Sequence, residues 1–558
     1  MHPATRVPAR RCLATGLLAA LAATVAQAQP AGEFASALEA QLARGRSALL
    51  HEADFTRDRD TVREFYQQRR FRPAWLERRE TTRQGARLLQ ALRGAGDHGL
   101  RPEDYDGTPL AYRVIGFAAG ADSTAAQSAE LDLALSVAAA RMLRHLHTGR
   151  VDPRAAGFDS RLPRAPFDAA AVLERLATGG DFDAALSAAE PAFEQYRLVR
   201  RALKDYRLLA VERELTALPP LKSRSVKPGE PYEGMAALRR LLVALGDLGS
   251  DVATRGEVLD EASAAALQRF QERHGLAADG VLGRRTYAAL TTPLSARAEQ
   301  LALTLERWRW LPELDAPPIV VNIPQFRLVA AGGEEGVLQS EVIVGRSNPT
   351  LRTPAFATEL TYVVFRPYWE VPPSILQNEL LPKIRADARY LAANDLEIVS
   401  AADAGAAPLE PSDDAIRRLA AGELRLRQRP GENNSLGLVK LMMPNPYNVY
   451  LHSTPERRLF EEARRTFSHG CIRVRDAAGL VEYVLRDEPG GWTRETIEAA
   501  MHDDSPEGAN RHVFLTKPKP VLVVYGTATV SPDGTVQFFE DVYGHDAKLQ
   551  GLLRQAAR

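Results

Sequence analysis

The stretch Tyr450–Val474, YLHSTPERRLFEEARRTFSHGCIRV, carries the strongest chemical signal in the chain. It holds Cys471 between Ser468, His469 and Gly470 on one side and Arg473 on the other, with His452 nineteen residues upstream. A free thiol titrates near ~8.5 and is mostly protonated at neutral pH, so a cysteine nucleophile needs a base in reach. His452 is the preferred base, because a ring two positions from the cysteine turns poorly onto the sulfur. His469 is left with a part in an oxyanion hole or in orienting the loop. Val449–His452 reads as a strand end. Ala477, Leu480, Val481, Val484 and Leu485 follow at helical spacing. Cys471 is therefore expected just before or at the start of a helix, where the peptide dipole favours a thiolate. Gly470 lets the backbone come close to a substrate, and the Cys471 amide is a candidate donor to an oxyanion.

Working outward, the N-terminus shows Arg6, Arg10 and Arg11, an apolar run Leu13–Ala26, and Ala26-Gln27-Ala28. This is the pattern of a secretion signal over residues 1–28, and its apolar run is shorter than the ~20 residues of a membrane helix. Cys12 would leave with it, so the exported chain keeps only Cys471 and can form no internal disulfide. The chain has 558 residues, more than one core normally supports, and 71 basic residues balance 71 acidic ones. That balance argues against nucleic acid as a partner.

Residues 29–230 read as helical. One clear case runs through Leu131, Leu135, Met142 and Leu146 to Gly149. His145 and His147 on that helix read as structural, and Phe65, Tyr66, Phe71 and Trp75 as core. Prolines and glycines over Pro219–Glu233 mark a boundary. A compact module over residues 231–295 follows, with helices at Met235–Leu245, Glu261–Arg273 and through Thr286–Leu290. A connecting helix spans 296–316. Strand patterns then run over 317–530 at Ile319–Ile323, Phe326–Val329, Val337–Val344, Tyr362–Phe365, Leu424–Gln428, Leu438–His452 and Val513–Tyr525. They are interrupted at about 374–435 by a helix-rich insert of the kind that covers clefts. Residues 531–558 are expected to add a strand, Thr535–Phe539, that closes the sheet, and a tail.

The HST…SHGCIRV pattern resembles the L,D-transpeptidase catalytic domain, the YkuD-type fold, and FQ…GL…DG…G over residues 232–292 resembles a peptidoglycan-binding domain. The wider chain resembles the YcbB-type subfamily through HGLRPEDY, LHTGRVDP, LERWRWLP, VIVGRSNPTLRTP, FRPYWEVPPSI, RQRPGENNSLG and DVYGHD. One departure is Arg366 before Pro367, where the family more usually has asparagine. The resemblance implies a multidomain α+β protein: a mainly β catalytic domain with a capping insert, a helical scaffold domain and the three-helix module. It implies a periplasmic enzyme whose Cys471 attacks the bond before the terminal D-alanine of a tetrapeptide stem, releasing D-alanine and leaving a thioester. The amine of a diamino acid on a second stem would resolve it as a 3→3 cross-link; resolution by water would make a carboxypeptidase or amidase instead, and a silent wall-binding scaffold is the third reading. His452 would move the protons. Tyr450, Ser468, His469, Gly470 and Arg473 would form the oxyanion and substrate site, Arg473 taking a substrate carboxylate or supporting the loop. Tyr368, Trp369 and Tyr447 would line the donor groove or belong to the core. The implied partners are peptidoglycan stems and carbapenems, with no metal or other cofactor, and with a membrane only through a retained signal.

Overall fold

A computed structural model describes residues 29–119, 124–163, 166–250, 256–331, 336–402 and 406–556. The expected secretion signal lies outside them, and no helix of the described residues is long and apolar enough to cross a membrane. The described residues divide into two compact units: those within 29–149 and 166–192, and those within 150–163 and 193–556.

The first unit is helical and gathers on Ala125–Thr148. Thr124 starts that helix with a reciprocal capping pair to Gln127, and Gly149 ends it. Burial on all sides from Leu131 to Leu143 explains why its apolar residues are not confined to one stripe. Among them sits Asp132, whose carboxylate accepts from the Tyr66 hydroxyl at 2.5 Å and from the amides of Ala74, Trp75 and Leu76. Phe65, Tyr66 and Trp75 are buried as core, and Phe71 packs against them half-buried. His145 meets the Tyr105 hydroxyl at 2.8 Å, and His147 stacks on Phe167.

In the second unit Glu194–Leu209 packs on Leu294–Trp308 through Leu203, Leu301 and Leu305. The module between them has helices Met235–Ala244, Glu261–Arg273 and Arg284–Leu290 over one apolar core. Gln271 explains its sequence signature: the side-chain amide donates to Asp279, Val281 and Thr286 and accepts from the Gly280 amide, pinning the Asp-Gly turn to the second helix.

The main sheet has ten strands. Eight form a ring in the order Val439–Met442, Leu451–His452, Ile472–Val474, Val337–Gly345, Arg327–Ala331, Ile319–Asn322, Arg511–Val524, Ala355–Phe365, and Ala355–Phe365 pairs back to Val439–Met442. The helix Ala477–Leu485 buries Leu480, Val481, Val484 and Leu485 against this ring. Residues 369–428 fold as a small subdomain with its own core of Ile384, Ile398, Leu419 and Leu426 under a three-stranded sheet.

Several expectations are corrected. The insert contains a strand, Leu396–Ser400, too short to stand out between helical segments. Phe158–Ser160, inside the helical stretch, pairs with Ala355–Ala357 of the main sheet. Val536–Phe538 does not close the sheet: it forms a hairpin with Ala528–Val530, covering Tyr206 and Leu294. The last segment ends in a helix, His545–Ala556, held by Asp546 to Arg307 at 2.6 Å and to Thr527 at 2.7 Å.

Candidate active site

Cys471 is not at a helix N-terminus. It is followed by the strand Ile472–Val474, and the helix begins only at Ala477 with Asp476 as its cap. The dipole therefore does not act on this thiol, and strand geometry organises the site instead. Leu451–His452 lies between Val439–Met442 and Ile472–Val474, with Lys440 opposite His452 on one side and Arg473 opposite it on the other. Leu451 and Ile472 point into the core. Alternation along the strands puts Tyr450, His452, Cys471 and Arg473 on the other face.

His452 is buried at 4% exposure. Its Nδ1 is 2.6 Å from the Ser453 carbonyl oxygen, which only accepts, so Nδ1 carries the proton and Nε2 is the basic nitrogen. Burial, then the charge of Arg473, pulls the imidazole down to about 3, with Lys440 acting in the same direction. The ring is neutral at physiological pH. Burial pushes the half-buried Cys471 thiol up, opposed by hydrogen bonds from the Tyr450 main chain and hydroxyl and by the charges of Lys440 and Arg473. The thiol also faces the Asn448 carbonyl at 3.6 Å. Tyr450 lies edge-on to His452, ring centroids 5.7 Å apart.

The loop before the thiol is held from below. Ser468 donates to the Cys471 carbonyl at 2.6 Å and accepts from the Gly470 amide at 3.1 Å. Gly470 has φ +120°, which a side chain would resist, and its carbonyl accepts from Thr353 Oγ1 at 2.7 Å. Thr353 also accepts from the Gly345 amide, and the Tyr543 hydroxyl donates to the Gly345 carbonyl at 2.6 Å. A Cβ on Gly345 would collide with the Leu351 carbonyl, so the two loops can lie this close only with glycine there.

His469 meets Glu379 of the inserted subdomain. Arg473 pairs with Glu456, and so has a carboxylate partner within the chain. Trp369 packs at the edge of the insert's core, Tyr368 lies beneath Arg427, and Tyr447 is exposed beside Phe356. Lys440, Thr353, Tyr543, Glu379 and Glu456 were not singled out from the sequence. Each belongs to a segment distant from the cysteine motif or to one without an alternation of its own.

A thiol on one strand face with a phenol, a neutral imidazole and two cations has the groups needed to attack a carbonyl carbon and to move the leaving group's proton. Residues 317–499 match the family of the L,D-transpeptidase catalytic domain, YkuD; residues 232–290 match the family described as "Putative peptidoglycan binding domain", and residues 60–203 a scaffold domain. The chain thus carries a YkuD L,D-transpeptidase catalytic domain together with a peptidoglycan-binding and a scaffold domain. It is 30% identical over 283 residues to a Haemophilus influenzae protein named "Putative L,D-transpeptidase". That match spans 49% of this chain and about half, 54%, of the relative.

Proposed function

We propose that this protein is a periplasmic L,D-transpeptidase of the YcbB type, exported by its N-terminal signal, that makes 3→3 cross-links through a thioester on Cys471. The observation that carries this reading is the shared strand face of Cys471, Tyr450 and neutral His452 within the transpeptidase domain. His452 Nε2 takes the thiol proton as sulfur attacks the carbonyl carbon between the third stem residue and the terminal D-alanine. The Cys471 amide, which donates to no other group among the described residues, holds the oxyanion. The C–N bond breaks, D-alanine leaves with the proton from His452, and a thioester remains. The diamino-acid amine of a second stem attacks that thioester, gives its proton to His452, and releases the thiol.

The pairing of Arg473 with Glu456 favours loop support for Arg473 over direct capture of a substrate carboxylate. The peptidoglycan-binding and scaffold matches and the folded insert support the YcbB-type assignment. Carbapenems, whose lactam the same sulfur would open, are the expected covalent inhibitors. Incubating the protein with tetrapeptide muropeptides should yield 3→3 dimers and free D-alanine, both lost in Cys471→Ala. Tripeptide monomers without dimers would instead assign the hydrolytic reaction, and no turnover with no carbapenem adduct would assign a wall-binding scaffold.

A further inference from the structure

The two cations that flank His452 are not equivalent. Arg473 is engaged by Glu456. Lys440, half-buried in the strand on the other side, has no carboxylate within 4 Å of its ammonium among the described residues. Its nitrogen stands 4.1 Å from the centroid of the Tyr450 ring. A partly desolvated ammonium needs compensation, and the negative face of an aromatic ring supplies it. Tyr450 and Cys471 directly precede the paired residues Leu451 and Ile472 of neighbouring strands, which sets the phenol beside the sulfur, where its hydroxyl favours the thiolate. Ammonium, phenol and thiol therefore form a line in which the cation draws density from the ring and strengthens the phenol's O–H as a donor to sulfur.

We propose that Lys440 is a positioning residue which, through Tyr450, offsets the cost of ionising the half-buried Cys471 thiol. Lys440 does not touch the reacting atoms; it acts through the phenol. The titratable and charged groups facing this line are His452 and Arg473 beside the thiol, Glu456 on Arg473, and Glu370 and His512 around Lys440. Glu370 and Glu456 oppose Lys440 in sign, but neither lies within ion-pair distance of it: Glu370 pairs with Arg425 and Glu456 with Arg473.

The test reads the thiol itself, so it needs no peptidoglycan and its failure is distinct from failure of the cross-linking assignment. The alkylation rate of Cys471 by iodoacetamide, followed by intact mass, is measured from pH 5.5 to 10 on residues 29–558, where Cys471 is the single cysteine. Lys440→Met should move the profile to higher pH and slow alkylation at pH 7 by about three- to tenfold, with Lys440→Arg restoring most of it. In a Tyr450→Phe background the same Lys440→Met change should lose most of its effect. Should Lys440→Met fail to keep the wild-type circular dichroism, Lys440→Gln gives the same comparison. A profile that superimposes on wild type, or an arginine variant as slow as the methionine one, would overturn the role of the charge. An undiminished effect in the phenylalanine background would overturn the route through Tyr450.

Discussion

His469 Nε2 lies 2.5 Å from Glu379 Oε1, so the residue next but one to the thiol is tied to the inserted subdomain. Both side chains are partly open to water, at 26% and 42% exposure. Pairs of that kind contribute about 0–1 kcal/mol, weak enough for a substrate to displace. Glu379→Gln should therefore raise hydrogen exchange over residues 373–393 while leaving the melting temperature almost unchanged. Exchange that stays at the wild-type level would show that the contact does not hold the insert.

Gly470→Ala tests the loop conformation. A Cβ there would find its nearest neighbours at 3.6 Å, so space is available and the cost is the φ of +120° alone, about 1–3 kcal/mol. The loop should relax by rotating the Cys471 amide, slowing carbapenem acylation at least ~10-fold with only a small loss of stability. Adduct formation by mass spectrometry at the wild-type rate would contradict this.

Thr353 joins two loops through one hydroxyl, donating to Gly470 and accepting from Gly345. Thr353→Val keeps the shape and leaves both partners unsatisfied, at a cost of about 1–3 kcal/mol. Thr353→Ser should retain most of the stability. Equal melting temperatures for the valine and serine variants would remove the hydroxyl from the account.

The His452 imidazole, held at about 3 in the fold, lies below its unfolded value of ~6.5. As pH falls the unfolded chain takes up this proton first. The stability contribution is thus complete above about pH 6.5 and is lost progressively toward pH 3. At pH 4.5 the wild type should have lost about 1–3 kcal/mol that His452→Gln does not lose. Thermal melts of both proteins at pH 7 and 4.5 measure the difference, and parallel losses would place the histidine's titration elsewhere.

Much of the site was legible because its chemistry is local in sequence. Ser468, His469, Gly470 and Cys471 are contiguous, and Glu261–Arg273 and Leu424–Gln428 carry clean periodicities that the fold reproduces. The helix expected at Cys471 failed because the strand Ile472–Val474 and two further residues separate the thiol from Ala477, and a three-residue strand has no pattern of its own. Lys440, Thr353 and Glu379 were invisible for another reason. Their meaning comes from register and loop contacts with segments many residues away, which periodicity does not encode. Arg366, where asparagine is usual, has φ +44°, a conformation asparagine adopts readily. Here it is held by Asp504 at 2.6 Å and by main-chain bonds to Leu438 and Asn510.

Closure of the strand ring has a consequence for how a peptide can be read. Val439–Met442, Leu451–His452 and Ile472–Val474 each have a neighbour on both sides, so none offers an unpaired edge. An extended peptide cannot dock there by adding itself as one more strand, a mode in which main-chain hydrogen bonds supply the grip. Selection is left to side chains projecting from the ring, which favours discrimination of stereochemistry and charge over simple backbone length.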